Sequence, residues 1–146
     1  MKNPYASDAL KGMRAVVCGA SKGIGRATAE MMVACGADVI ALSRSAPEIT
    51  GARSISLDLE DTYAIEKTIS GILVAGPIHI LVNNAAGPPG GPLLGNTIED
   101  FEAPFKRHLH AAHQITKMVV PAMEEAGIAI NSVQYHSTQP LSLIHI

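Results

Sequence analysis

The stretch VVCGASKGIG, residues 16–25, constrains the fold more than any other part of the chain: small apolar residues run straight into glycines at 19, 23 and 25. A short unbroken apolar run favours a buried strand, and glycines directly after it free the backbone for a turn that ordinary side chains resist. The next residues, IGRATAEMMVAC (24–35), repeat Ile24, Ala27, Met31 and Cys35 at helical spacing and stop at Gly36. The expectation is a strand over residues 13–18 turning directly into a helix. At such a junction the first helical amides lack partners and the positive end of the helix dipole faces outward. Missing side chains then let an anion approach the backbone. A tight strand-to-helix connection without a ligand is the alternative.

The same alternation continues. DVIALS (38–43), SISLDL (54–59) and IHILVN (78–83) read as further strands, and DTYAIEKTISGIL (61–73) as a helix. Apolar strands alternating with helices indicate an α/β fold with a parallel sheet covered on both faces. At 146 residues the chain is expected to form one domain, and 47% apolar against 16% charged residues supplies a core. A net charge of −2 offers no basic surface for nucleic acid or an anionic membrane, which leaves a small molecule as the expected partner. Cys18 and Cys35 are too far apart for a Cys-x-x-Cys pair and are expected as buried free thiols. MKNPYASDALKG at the start has no apolar signal core, and no run approaches the roughly 20 residues of a membrane span, so the expected location is cytoplasmic.

No Gly-Lys-Ser/Thr occurs, which removes the triphosphate-binding loop, and the spacing Gly-x-x-x-Gly-x-Gly lies close to the dinucleotide fingerprint. Ser43 and Arg44 end the second strand, where an NAD site offers an acid to the ribose and an NADP site a cation to the 2′-phosphate. The acid is missing and the cation present, and Lys22 in the glycine turn adds a second. These residues point to NADP(H) in preference to NAD(H); otherwise both are solvated surface charges. Asp58 either accepts from the adenine amino group or caps the helix beginning near Thr62.

In order, CGASKGIG, LDLED and ILVNNAAG resemble the glycine turn, strand-3 aspartate and Asn-Asn-Ala-Gly element of the short-chain dehydrogenase/reductase family, with Cys18 where that family usually has threonine. The resemblance implies a Rossmann-type doubly wound parallel sheet, truncated after about the fifth strand, in which residues 1–140 are the N-terminal NADP-binding part of a single domain. It places Gly19, Ser21, Lys22, Gly23, Ile24 and Gly25 around the cofactor phosphates and Ser43 and Arg44 at the 2′-phosphate. Asp58 and Leu59 fall at the adenine, and Asn83 and Asn84 on the ribose side. The loop PPGGPLLGN (88–96) belongs near the nicotinamide and substrate, or is a plain connector.

Residues 97–126 are expected as one long helix, opened by Thr97 and Asp100, carrying Phe101, Phe105, His108 and Ala112 on one buried stripe and kinked or delayed by Pro104. HLHAAH lacks the facing ligands of a metal site, so no metal is expected. By resemblance His108 takes the place of the family's active-site asparagine and Gln134 that of its catalytic serine; His108 is then a proton carrier or a satisfied core histidine. The family's Tyr-x-x-x-Lys pair is not found where it would follow, and LSLIHI (141–146) reads as the translation of the adapter sequence CTGTCTCTTATACACATC rather than as protein. The implied function is hydride transfer between NADP(H) and a carbonyl or alcohol substrate in a longer, homo-oligomeric form, with the chain as given inactive. The alternative is a noncatalytic NADP-binding sensor or regulatory protein of the same fold.

Overall fold

The computed structural model describes residues 5–87 and 93–130. In chain order it contains β1 (Arg14–Cys18), α1 (Gly23–Ala34), β2 (Asp38–Ser43), β3 (Ala52–Ser56), α2 (Thr62–Val74), β4 (Ile80–Val82), α3 (Glu99–Phe105) and α4 (Ala111–Glu125), the last two joined through a wide π-type turn at Lys106–His110. The four strands are parallel in the order β3-β2-β1-β4, with Val16 of β1 opposite Ile40 on one side and Leu81 on the other.

Strand alternation divides the apolar residues between two cores. Val16, Cys18, Ile40 and Leu42 point to one face, where Ile65, Ile69 and Ile72 of α2 and Ala111, Ile115, Val119 and Met123 of α4 cover them. Ala15, Val17, Val39 and Ala41 point to the other, against Ala29 of α1. The first face is filled by isoleucines, each contributing about 1.5–3 kcal/mol on burial. The second is lined largely by alanines, whose short side chains leave room for α1 to approach the sheet. Both faces are covered, as the doubly wound reading requires.

The amino ends of β1, β4 and the last turn of α2 meet at Arg14. Its Nη1 donates to the carbonyl of Ile72 at 2.9 Å, which also accepts the Ala75 amide at 3.2 Å, and to that of Gly76 at 2.8 Å, just past the end of α2. Its Nε lies 3.6 Å from Asp38, and its amide donates to His79 Nδ1 at 3.1 Å. Arg14→Met should cost about 2–4 kcal/mol, since hydrogen bonds from a charged donor contribute roughly 1.5–3 kcal/mol each and here share one side chain. Thermal unfolding is the check: a midpoint fall of roughly 10 °C is expected, and an unchanged midpoint would contradict the assignment.

Three expectations are corrected. The third strand spans Ala52–Ser56 rather than 54–59, because it pairs with β2 only from Val39–Ala52 to Ser43–Ser56 and ends where β2 ends. Leu57 is buried beyond it, and Asp58 turns the chain by accepting the amide of Glu60 at 3.0 Å. Asp58 therefore does not cap α2; Asp61 does, accepting from the Ala64 amide at 2.9 Å. The long helix begins at Glu99, with the Asp100 carboxylate accepting the Thr97 amide at 2.8 Å. Its buried line is Pro104, Ala111, Ile115, Val119 and Met123, whereas Phe105 is exposed. Pro104 has no amide to give Asp100, and soon after it the Ala111 amide reaches back five residues to the Lys106 carbonyl. That wider turn shifts the phase of the helix, so the expected Phe105 and Ala112 stripe gives way to the line facing α2. Ile128–Ile130 form no strand, and the rest of the expected fifth strand lies outside the described residues.

Candidate active site

Every expected site residue among those described sits at the carboxyl end of a strand or just past it, or on the helical segment above that end. The glycine turn follows β1, Ser43 and Arg44 close β2, Asp58 and Leu59 follow β3, and Asn83 and Asn84 follow β4. Strand order runs outward from β1 to β3 on one side and to β4 on the other, so the gap between β1 and β4 is the point where open parallel sheets bind ligands. A crevice lies there, lined by Cys18, Leu59, Asn83, Asn84, Ala85, Arg107, His108, Ala111, Ala112 and Ile115.

Asn84 builds the inner wall of the glycine turn. Its Nδ2 donates to the carbonyls of Cys18 and Gly19, each at 3.3 Å. A Cβ on Gly19 would stand 2.5 Å from that nitrogen, and one on Gly25 would stand 2.3 Å from the Gly19 carbonyl oxygen. Both positions are therefore closed to any side chain by contacts within the protein. Gly23 differs: its φ of +60° favours glycine, while a Cβ there would meet nothing within 4 Å. Lys22, the residue before α1, makes no side-chain cap, so no side chain covers the first-turn amides from that position. Lys22 and Arg44 are exposed and make no side-chain hydrogen bond or ion pair with the described residues. Ser21 is half-buried and Ile24 exposed beside them.

Other expected residues are committed inside the protein. The Ser43 hydroxyl donates to the Ser45 carbonyl, and Ser56 Oγ to the Arg44 carbonyl at 2.7 Å, which fixes the loop that presents the Arg44 side chain. Asn83 Nδ2 donates to Thr116 Oγ1 at 3.1 Å, tying the end of β4 to α4. His108 Nε2 lies 3.2 Å from the Ala86 carbonyl, an acceptor, so this nitrogen carries the proton. Cys18 and Cys35 are free and buried, and burial pushes the Cys18 thiol up to about 12, leaving it no nucleophile at neutral pH. Gln134 lies outside the described residues.

Two features were missed in the sequence. Tyr63 and Lys67 do have the Tyr-x-x-x-Lys spacing, but on α2: Tyr63 is 74% exposed and Lys67 borders an open groove with Arg53, neither lining the crevice. The second is Arg107, whose side chain is only 14% exposed. The signal was present, since the buried line Ala111, Ile115, Val119 and Met123 extends back by one more step of four to Arg107.

The family model described as short chain dehydrogenase matches residues 13–141. The chain belongs to the short-chain dehydrogenase/reductase family. Within it, the pig protein named carbonyl reductase [NADPH] 2 is 35% identical over 143 aligned positions, covering 90% of this chain and 57% of the relative. L-xylulose reductase of the golden hamster, Mesocricetus auratus, is 37% identical over 139 positions, covering 89% and 56%. The chain thus spans little more than half the length of these relatives. Among solved structures, a metagenomic short-chain oxidoreductase in complex with NADP superposes with a TM-score of 0.71 at 32% identity, covering 82% of this chain and 60% of that one. Among the described residues no helix is long and apolar enough to cross a membrane.

Proposed function

We propose that this chain is the NADP(H)-binding part of a short-chain oxidoreductase that moves a hydride between the cofactor and a small carbonyl or alcohol substrate. The observation that carries the reading is the glycine turn: Gly19 and Gly25 are packed tight against Asn84, while the space beside Gly23 at the start of α1 is open. A pyrophosphate fits such a place, because the uncapped amides and helix dipole favour negative charge and no side chain bars the approach. When bound, the nicotinamide supplies or accepts the hydride.

The chain's own residues supply binding and orientation. Lys22 and Arg44 are cations at the turn and at the end of β2, suited to a 2′-phosphate and without acidic partners among the described residues. Asn84 holds the turn in shape, and His108, anchored on the Ala86 carbonyl, places an imidazole on the crevice wall. The names of the relatives, NADPH-dependent carbonyl reductase and L-xylulose reductase, support this cofactor and a polar carbonyl substrate class.

Equilibrium titration of the chain with NADPH and with NADH tests the proposal. A charge-assisted contact to the extra phosphate is worth about 1.5–3 kcal/mol, so NADPH should bind roughly ten- to a hundredfold tighter. Equal affinities, or no binding of either, would reject it.

A further inference from the structure

Arg107 stands one step of four before the start of α4, on the line of residues that α4 buries against the sheet and α2. Its Nη1 lies 3.6 Å from Glu60 Oε1, and its Nε is shut away from solvent with no hydrogen-bond partner among the described residues. A buried donor left unpaired is costly, and Arg107 is also one of the residues that line the crevice, where an acceptor for its guanidinium would offset that cost. Gln114, two turns along the same helix, donates to the Thr62 carbonyl at 2.8 Å, which sets this helix against the start of α2 and keeps Arg107 beside Glu60.

Resting on the cofactor reading above, we propose that Arg107 is a specificity-determining residue for the adenine base, its guanidinium donating to an acceptor on the base at the Leu59 side of the crevice. Three observations choose the base over a phosphate. The guanidinium charge is already offset by Glu60, which favours a neutral acceptor. The surrounding wall sets apolar Cys18, Leu59, Ala111 and Ile115 beside the amides of Asn83 and Asn84 and the His108 imidazole, a mixed lining that suits a flat ring with polar edges. And the cations Lys22 and Arg44, which have no ion pair among the described residues, lie elsewhere, at the turn after β1 and at the end of β2. A planar guanidinium also stacks on or forks toward a heteroaromatic ring in a way that a lysine ammonium does not.

The test titrates the full chain and its Arg107→Met and Arg107→Lys variants with NADPH and with 2′,5′-ADP, alongside the thermal midpoint of each ligand-free protein. Arg107→Lys keeps a cation for Glu60 and should hold the midpoint, while 2′,5′-ADP and NADPH both bind roughly ten- to a hundredfold more weakly to either variant. If Arg107→Met fails to fold, Arg107→Lys decides alone. Affinity for 2′,5′-ADP within twofold of the unmodified chain overturns the assignment, as does a loss in Arg107→Lys matched by a collapse of its midpoint, which would mark a purely structural role. Failure of the unmodified chain to bind NADPH overturns the cofactor reading itself, and is thereby distinguished from failure of the Arg107 assignment.

Discussion

Gly25→Ala should weaken NADPH binding by roughly ten- to a hundredfold and destabilise the chain by about 1–3 kcal/mol, the range for forcing a methyl group into packed surroundings. The reason lies in a single contact. The new Cβ would sit 2.3 Å from the Gly19 carbonyl oxygen and 2.7 Å from Asn84 Nδ2, so the turn must open by about an ångström to admit it. Helical φ at this residue means that alanine brings no backbone strain of its own, and its better helix propensity works in the opposite direction. Gly71→Ala is the matched control. It too lies within a helix, but its Cβ would meet nothing within 4 Å, so a gain of about 0.5–1 kcal/mol and unchanged NADPH affinity are expected. Titration and thermal unfolding of both variants give the comparison; a Gly25→Ala protein that binds like the parent would mean that the turn is not the cofactor cradle.

Arg44→Asp should invert the cofactor preference. The substitution removes a cation from the end of β2 and puts a carboxylate where a 2′-phosphate is proposed to lie, so NADPH loses an attraction and gains a repulsion. Each contribution is on the order of one to two kcal/mol, and the ratio of NADPH to NADH affinity should fall by a hundredfold or more. NADH itself should bind as well or better, because an acid at this place suits ribose hydroxyls. The Arg44 side chain is exposed and makes no hydrogen bond or ion pair with the described residues, so the thermal midpoint should stay within a few degrees. A ratio that does not move would place the 2′-phosphate away from the end of β2.

Much of this was legible in the residues, for identifiable reasons. β1 and β2 are continuous buried runs bounded by glycine or by a charge, and α1 lies between two glycine turns; the expected limits of all three match the observed ones to within a residue, although α1 buries Gly25 and Ala29 and leaves Ile24 exposed. β3 was placed two residues late because it is an edge strand: Ala52 and Arg53 carry no apolar signal, while Leu57 and Leu59, which do, pack after the strand has ended. The helical region was misjudged in phase because a π-type turn leaves no mark in hydrophobic periodicity until its packing partner is known. Arg107 was not singled out, although it falls one step of four before the buried line of α4. Its burial depends on that turn and on α2, both of them tertiary. The internal hydrogen bonds of Ser43 and Asn83 were likewise invisible, since they depend on where separate segments come together.

The cluster around Arg14 divides the domain into two ends with different duties. At the amino ends of the strands, polar groups are consumed by one another, and the arginine stitches β1 to the close of α2 and faces β2. At the carboxyl ends, amides and cations are left open and a guanidinium nitrogen goes unmatched among the described residues. Variation is therefore tolerated differently along the strand axis: the Arg14 end can be reinforced or loosened to set how durable the scaffold is, while the opposite rim is altered to change what it holds. Laboratory evolution toward new cofactors would then draw on a reserve located about the length of a strand away from the residues it changes.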